Sequence, residues 1–366
     1  MVITKISVQD FRNLGKMQVE LQPKVNILSG ANAQGKTNFL EAVYLCSLGR
    51  SFRTSSERDM INYNKEEAYI QALFKKENRF GVQKLDINLK REKNKGIAMN
   101  GVPLKRLGEM FGEFLTVTFS PENMQLIKAG PSERRRFMDM EICQLSPVYY
   151  FHLQQYYQVL RQRNNLLKAI PRNRELRDTL FVWDEQLAAF GEKVMADREE
   201  FNRKLNMRVE EIHESITDNK EKLEIIYKPN QREGMLEKLN KSHERDVIQG
   251  STCVGIHKDD CQFLINGRDA RIYGSQGQQR SIVISLKLAE IDLIYQEKGE
   301  MPVLLLDDVL SELDGWRQQF LIKRIKSLQT IITCTGVEQI LSGYGDKTEI
   351  ALFEVKNGII KENPYS

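Results

Sequence analysis

A glycine-rich segment, GANAQGKT at 30–37, has the spacing of a phosphate-binding loop. It follows the apolar run VNIL at 25–28 and opens the helical pattern NFLEAVYLCSL. Glycines let backbone amides turn towards phosphate oxygens, and a helix start adds partial positive charge. The motif therefore predicts that Lys36 neutralises β- and γ-phosphate oxygens and that the Thr37 hydroxyl ligates Mg²⁺. The alternative is a glycine turn that precedes Lys-Thr by chance, and the agreement of strand, spacing and helix argues against it.

Two acidic residues end a second apolar strand pattern, VLLLDD at 303–308. A phosphate loop needs a carboxylate to hold its metal, so we expect Asp307 to contact Mg²⁺ directly or through water. Asp308 comes next, where a base or water-orienting group would reach an attacking water. The alternative is that both residues serve as turn or cap residues, which often follow buried strands.

A third candidate, YGSQGQQR at 273–280, precedes a long helical pattern. Ser275 and Gln278 have the S-x-x-Q spacing of a capping box, and Gly277 loosens the helix start. Capping alone explains that spacing, but a helix start of this kind also receives a phosphate. Its position shortly before Asp307 favours the phosphate reading. Lys36 and Asp307 stand far apart in the chain, so an inserted module must split the nucleotide site.

The composition excludes several classes of protein. The chain has 366 residues, 54 Lys+Arg against 50 Asp+Glu, 41% hydrophobic residues, 23 Gly and 9 Pro, which exclude a disordered or collagen-like chain. No apolar run approaches the roughly 20 residues of a membrane span, and the N-terminus alternates like a strand, not a secretion signal. Five cysteines without a C-x-x-C pair support neither a disulfide framework nor a zinc site. We therefore expect a cytoplasmic protein without a membrane partner.

Apolar periodicity divides the chain into strand-rich ends and a helical middle. Strands are predicted at 2–8, 16–21, 25–28, 68–74, 82–89, 114–119, 222–227, 262–266, 303–306 and 330–333. Helices are predicted over 131–217 with breaks at Pro147 and Pro171, over 277–297 and near 314–326. Asn-Gly pairs at 100, 266 and 357 predict hairpins. The pattern indicates an α/β domain split between 1–130 and 220–366, with a mainly helical lobe inserted at 131–219.

Basic residues cluster in two segments, 73–106 with ten Lys/Arg against three acids and 161–177 with six against one. Such segments attract nucleic-acid phosphates, although a solvated helix or hairpin face is an equally good interpretation. The arginines at 134–136 begin a helix and are assigned to signalling more than to DNA contact. The aromatic residues between 149 and 157 have helical spacing, which favours core packing over base stacking.

Together these segments resemble a known family. The phosphate loop, the serine-glycine-glutamine signature, the carboxylate strand and SELD at 311–314 are similar to the split ATPase heads of the ABC superfamily, in its SMC/Rad50-like branch. The segments ISVQDFRNL, GRSFRT, FSPENMQLIKAGPSERRRFMD and LLLDDVLSELD narrow the resemblance to the RecF family of bacterial recombination-repair proteins. The resemblance runs over essentially the whole chain.

The resemblance implies a weak, DNA-stimulated ATPase whose ATP-dependent homodimer binds duplex DNA and single-strand/duplex junctions. It implies help in recombinase loading at gapped DNA together with the RecO and RecR proteins. In such heads one subunit's signature completes the other's ATP site, so Ser275, Gly277 and Gln278 would touch the γ-phosphate, and Asp314 would lie at the dimer seam. The ATP-contacting residues so implied are Gly30, Ala31, Asn32, Ala33, Gln34, Gly35, Lys36, Thr37, Asn38, Arg12, Asn13, Ser275, Gly277, Gln278 and Asp314.

Four features depart from the pattern of the superfamily. The signature reads SQGQQ where transporters have a serine followed by two glycines. Asp308 stands where most members have Glu, and the shorter side chain of Asp suggests slow turnover. Thr335 is the nearest equivalent of the switch histidine, and Gln125 or Glu122 is the candidate for the metal-sensing loop. An energising subunit of a transporter is the main rival function, and Thr335 argues against it. An ATPase-linked nuclease would need a second acidic metal cluster.

Overall fold

The computed structural model describes residues 1–232, 234–337, 341 and 350–363. Its strands are β1 (Val2–Gln9), β2 (Met17–Glu20), β3 (Val25–Ser29), β4 (Glu67–Lys76), β5 (Arg79–Lys90), β6 (Gly96–Met99), β7 (Val102–Pro103), β8 (Thr116–Phe119), β9 (Leu223–Lys228), β10 (Asp260–Ile265), β11 (Arg268–Asp269), β12 (Val303–Asp307), β13 (Thr330–Cys334), β14 (Ile350–Lys356) and β15 (Ile359–Glu362). Its α-helices are α1 (Lys36–Leu48), α2 (Gln125–Lys128), α3 (Pro131–Leu145), α4 (Pro147–Ala169), α5 (Leu180–Ile216), α6 (Met235–Gln249), α7 (Ala270–Tyr273), α8 (Gln276–Lys298) and α9 (Gly315–Ile325).

The chain divides into two compact units, Met1–Asn123 with Val283–Ser366 and Met124–Ile282. The predicted lobe at 131–219 differs from the second unit at both ends. Among the strands that the structure describes, β9, β10 and β11 pair only with one another in an antiparallel sheet, and β9 packs on α5 while β10 packs on α3. These strands therefore belong with the helices and not with the sheets of the first unit.

A six-stranded sheet in the first unit, in the order β15-β14-β3-β13-β12-β8, carries the candidate chemistry. Strands β14, β3, β13, β12 and β8 run parallel, and β15 pairs antiparallel at one edge. Strands β12 and β13 are buried along their whole length, which explains their continuous apolar sequences. Strands β3 and β12 flank β13 and run parallel to it. The loop after β3 and the carboxylate that ends β12 therefore lie together at the carboxyl ends of the strands.

A second six-stranded sheet of the first unit, in the order β2-β1-β4-β5-β6-β7, is antiparallel. Alternate residues of β4 are buried, in agreement with the period-two pattern at 68–74. Its neighbour β5 alternates in the same way after an exposed start at Arg79. One face of this sheet therefore packs into the core.

All three predicted Asn-Gly hairpins are confirmed. At each turn both residues have positive φ, the geometry of a type I′ turn, which Asn and Gly tolerate best. The φ values are 52° and 82° at Asn100 and Gly101, 49° and 75° at Asn266 and Gly267, and 49° and 73° at Asn357 and Gly358.

The second unit buries two arginines among its helices. Arg163 on α4 is fully buried and pairs with Asp184 at 2.6 Å and Asp246 at 2.7 Å. Arg198 on α5 is also fully buried and pairs with Asp139 and Asp259, both at 2.8 Å. Removing one partner of such a pair leaves a buried charge uncompensated, so these contacts tie the helices together.

Side-chain burial settles two interpretations of the basic and aromatic segments. Arg163 belongs to the basic segment 161–177 but is not on the surface, so it cannot meet nucleic acid. Tyr149 and Tyr156 are fully buried, which confirms core packing for these two aromatics, whereas Phe151 and Tyr157 remain partly exposed.

Two further observations concern cysteines and membranes. All five cysteines lie in the described part of the chain, where each is buried and none forms a disulfide. Of the helices that the structure describes, none combines the length and the apolar character that crossing a bilayer requires.

Candidate functional site

The loop between β3 and α1 has the geometry of an anion cradle. Gly35 precedes α1 with φ 114° and no side-chain cap, so the first-turn N–H groups have no partner within the helix. A Cβ at Gly35 would lie 2.9 Å from Asn13 Oδ1, which restricts the position to glycine. Lys36 is 7% exposed, and its Nζ donates to the carbonyls of Gly30 at 2.6 Å and Ala31 at 2.9 Å. The ammonium is therefore held against the loop that it would serve.

Asp307 is joined to the phosphate loop through a hydroxyl. Its Oδ1 accepts hydrogen bonds from Thr37 Oγ1 and Thr333 Oγ1, each at 2.8 Å. Asp307 is 5% exposed, and burial raises its pKa, while the two hydroxyl hydrogen bonds lower it and the negative charge of Glu122 raises it further. Carboxylate and hydroxyl oxygens are ligands that Mg²⁺ prefers, and this ion takes its remaining ligands from phosphate and water. Thr37 and Asp307 thus fit the metal role predicted for them.

Within the described residues, no group of three or more His, Cys, Asp or Glu side chains could hold a metal ion. A metal at Thr37 and Asp307 would therefore depend on oxygens from a bound phosphate and from water. This dependence is the usual arrangement for Mg²⁺ at phosphate sites.

Asp308 occupies a different environment from its neighbour. Its φ is 54°, so the chain turns sharply as it leaves β12, and its N–H lies 3.0 Å from Thr333 Oγ1. Ser311 Oγ donates to the Asp308 carbonyl at 2.7 Å and stabilises the turn. The Asp308 carboxylate is only partly buried and can meet a water, so its role as base stays a prediction.

Glu41, which the sequence reading did not single out, organises the residues around the loop. This α1 side chain is fully buried and accepts two hydrogen bonds from Arg12, at 2.9 and 2.7 Å. Arg53 Nη1 lies 3.5 Å from Glu41 Oε2, and Ser51 Oγ donates to Glu41 Oε1. The only signal in the sequence was an acidic residue within the apolar run FLEAVYL, whose partners are not close in the chain.

Asn13 and Asn38 link this group to the phosphate loop. Asn38 Nδ2 donates to Asn13 Oδ1 at 2.7 Å, and Asn13 Nδ2 lies 3.4 Å from the carbonyl of Ala33. Arg53 Nη1 donates to Asn38 Oδ1 at 2.7 Å. The structure therefore brings Arg12, Asn13 and Asn38 to one side of the loop, and contact with a nucleotide stays a prediction for them.

The signature lies in the second unit and forms the capping box that its spacing allows. Gln278 N–H donates to Ser275 Oγ at 3.2 Å, and Ser275 N–H donates to Gln278 Oε1 at 2.8 Å. Gln278 Nε2 also donates to Glu221 Oε1 at 3.0 Å, and the other Glu221 oxygen lies 3.4 Å from His213 Nε2. The capping interpretation is thus confirmed, and Ser275 is exposed at the helix start. Glu221 is a second residue that the sequence reading missed.

The remaining candidates lie at the ends of elements. Asp314 caps α9 by accepting a hydrogen bond from Arg317 N at 3.0 Å, and that bond is the main cause of its lowered pKa. Thr335 is exposed directly after β13. Glu122 is near enough to Asp307 to affect the pKa of that residue, whereas Gln125 begins α2 in the second unit.

Some of the basic residues form ion pairs within the protein. Lys76 and Arg79 both pair with Glu113, at 3.5 and 2.8 Å. Arg134, one of the three consecutive arginines, pairs with Asp260 through hydrogen bonds of 2.7 and 3.0 Å. These contacts are structural, and they reduce the number of cations that remain for nucleic acid.

Comparison with known proteins places these features in context. Residues 2–361 match the RecF/RecN/SMC N-terminal domain family. The chain is 49% identical over 344 residues to the DNA replication and repair protein RecF of Lachnoclostridium phytofermentans, which covers 93% of this chain and 95% of that protein. A solved structure of the recombination mediator protein RecF with ATP, in the RecFOR pathway, is 38% identical with a TM-score of 0.92, covering 99% of this chain and 97% of that one.

A more distant likeness concerns the fold alone. The Smc head domain derived from Pyrococcus furiosus is 16% identical with a TM-score of 0.55, covering 99% of this chain and 96% of that one. Together these matches confirm the predicted fold class, an α/β ABC-type ATPase head of the SMC/Rad50-like branch with an inserted, mainly helical lobe.

Proposed function

This chain belongs to the RecF family of DNA replication and repair proteins, and on that premise we propose that it is an ATP-switched DNA clamp. ATP and Mg²⁺ bind at the phosphate loop, two copies then close head to head on duplex or gapped DNA, and slow hydrolysis releases them. In this role the protein assists recombinase loading together with RecO and RecR proteins, in the cytoplasm.

The contact between Thr37 and Asp307 is the observation that carries this proposal. It joins a hydroxyl at the start of α1 to a buried carboxylate at the end of β12, 270 positions apart in the chain. A helix start whose first amides have no partner within the helix, a lysine and this oxygen pair together suit a triphosphate with its metal. ATP in the related solved structure is consistent with that ligand.

The dimer follows from a differential affinity. In the closed state the γ-phosphate gains contacts to a second copy, through its Ser275, Gly277 and Gln278. The free energy of these contacts favours the closed state over the open one. ATP should therefore shift the protein from monomer to dimer, and hydrolysis at Asp308 should reverse the shift. DNA binding in the clamp would stimulate this weak ATPase by favouring the closed form.

Measurement of mass by light scattering, with and without ATP and Mg²⁺, tests the proposal. Lys36→Ala removes the ammonium that neutralises the phosphates, so we expect no ATP-dependent dimer, whereas Lys16→Ala at an exposed lysine should dimerise normally. A Lys36→Ala protein that dimerises as the wild type does would refute the phosphate-loop assignment.

A further inference from the structure

We propose that the β14–β15 turn at Asn357 and Gly358 is a positioning clamp that sets the affinity of the phosphate loop for nucleotide phosphates. The inference rests on the proposed function, because it assigns a new element to the same site. Neither residue carries a reactive group, and neither belongs to the phosphate-loop motif.

The first observation is a pair of hydrogen bonds to Gln34, in the middle of the phosphate loop. Gly358 N–H donates to the Gln34 carbonyl at 2.9 Å, and Asn357 N–H donates to Gln34 Oε1 at 2.7 Å. The turn thereby holds both the backbone and the side chain of one loop residue. Since the loop would bind phosphate through its amides, fixing the peptide at Gln34 fixes the direction of those amides.

The second observation is the close approach of Gly358 to the residues beside the loop. Gly358 is buried, and a Cβ at this position would lie 2.1 Å from the carbonyl oxygen of Asn13. Asn13 in turn lies 3.4 Å from the Ala33 carbonyl through its Nδ2. The turn therefore packs against the loop directly through Gln34 and indirectly through Asn13.

Strand β14, which leads into this turn, also contacts Gly30, the first glycine of the phosphate loop. A Cβ at Gly30 would lie 2.3 Å from the carbonyl oxygen of Val355 on β14. Strands β14 and β3 are adjacent and parallel up to Glu354 and Ser29, so this contact continues a regular pairing. The loop thus meets the β14–β15 hairpin at its beginning and in its middle.

The two other Asn-Gly turns provide a contrast within the same molecule. They share the type I′ geometry, but Gly101 and Gly267 are exposed, and a Cβ at either would meet no atom within 4 Å. At these two positions glycine is favoured only because the backbone has a positive φ. At Gly358 the absence of a side chain additionally permits contact with the nucleotide site.

This contrast supplies the experiment. Alanine costs similar backbone strain at all three turns, because their φ values are 82°, 75° and 73° at Gly101, Gly267 and Gly358. The dissociation constant for ATP with Mg²⁺ is measured by calorimetry on each full-length variant, and the melting temperature without nucleotide is measured beside it. We expect Gly358→Ala to weaken ATP binding about tenfold or more relative to Gly101→Ala and Gly267→Ala. Equal dissociation constants for the three would overturn the inference.

A second variant and a reference variant keep the outcome interpretable. Gln34→Met keeps the length of the side chain but removes the acceptor for Asn357 N–H, so ATP binding should again weaken while the nucleotide-free melting temperature changes little. If Gly358→Ala does not fold, Gln34→Met decides, and wild-type affinity in that variant overturns the inference. Lys36→Ala is measured in the same assay. If Lys36→Ala binds ATP normally, the proposed function fails. If Lys36→Ala loses ATP binding and Gly358→Ala keeps it, only the inference about the clamp is refuted.

Discussion

At the scale of single residues, two adjacent carboxylates have been given different surroundings. Asp307 is buried and accepts hydrogen bonds from Thr37 and Thr333. Asp308 turns away from the sheet in a left-handed conformation and stays partly exposed. A buried, hydroxyl-bonded carboxylate suits a fixed metal, while a partly exposed one beside it suits an attacking water. The two environments, and the separate roles predicted from them, follow from where β12 ends.

The role of Asp308 can be tested without disturbing its turn. Asn tolerates the 54° φ of this position, so Asp308→Asn should fold normally but lack the base. We expect the hydrolysis rate to fall about 100-fold or more, and the ATP-bound dimer to persist correspondingly longer. Phosphate release and dimer lifetime on a sizing column measure the two effects.

Glu312→Gln provides the control for that experiment, because Glu312 is an exposed carboxylate in the same loop. Its turnover should match that of the wild type. Normal turnover in Asp308→Asn would remove Asp308 from the catalytic role and leave the metal and its ligands to orient the water.

At the scale of elements, the helical unit depends on polar contacts that cross between its helices and its small sheet. His257 follows the turn at Gly255 and lies between α4 and the loop after α6. Its Nε2 lies 3.0 Å from the Thr252 carbonyl and must donate to it, so its Nδ1 accepts from Tyr156 hydroxyl at 2.7 Å. Only the neutral ring satisfies both contacts. Burial accordingly lowers the pKa of His257 from 6.5 to about 4.

This histidine should make the stability of the second unit depend on pH. Because the pKa in the folded state lies below that of the unfolded chain, the unfolded chain binds the extra proton first as the pH falls. The contribution is therefore complete above about pH 6.5 and is lost as the pH falls towards 4. His257→Gln keeps one donor and one acceptor but cannot titrate.

Urea unfolding of the full-length proteins at pH 7.5 and pH 5 measures this difference. Between these pH values we expect the wild type to lose about 2 kcal/mol more unfolding free energy than His257→Gln. The same pH dependence in both proteins would show that the ring is not held neutral by Tyr156 and Thr252.

At the scale of the whole molecule, the candidate chemistry is divided between the two compact units. The phosphate loop and Asp307 belong to the first unit, whereas Ser275 and Gln278 belong to the second. Helix α8 begins at the signature in one unit and ends in the other. In the proposed dimer the signature serves the nucleotide of a second copy, so loss of the signature should separate nucleotide binding from assembly.

Gln278→Ala tests that separation. The substitution removes the side-chain oxygen that accepts from Ser275 N–H and the side-chain amide that donates to Glu221 at the start of α8. We expect ATP affinity within about twofold of the wild type but an ATP-dependent dimer at least tenfold weaker, because only the closed state uses the signature. Gln276→Ala, at an exposed position of the same helix start, is the matched control. Parallel loss of ATP binding and dimerisation in Gln278→Ala would contradict a signature that acts across subunits.

The sequence predicted most elements well because their signals are local. The three Asn-Gly turns, the break in the helical segment at Pro147 and the buried strand at 303–306 depend on residues within a few positions of one another. The boundary predicted at 219 is the point where the helical periodicity ends, whereas the second compact unit continues to Ile282. Whether β9 joins one sheet or another depends on pairing with β10, which no local pattern specifies.

The sequence by itself determined that a phosphate loop follows a buried strand, that Asp307 ends another, and that Ser275 and Gln278 cap a helix. Only the tertiary structure decided that both Thr333 and Thr37 donate hydrogen bonds to Asp307. It also decided that Glu41 pairs with Arg12 and Arg53, and that Gly358 packs against Asn13. The physical reason is that motif spacing reflects only contacts between residues close in the chain. The partners of buried charges and hydroxyls are set by strand order and packing, which bring together residues tens to hundreds of positions apart.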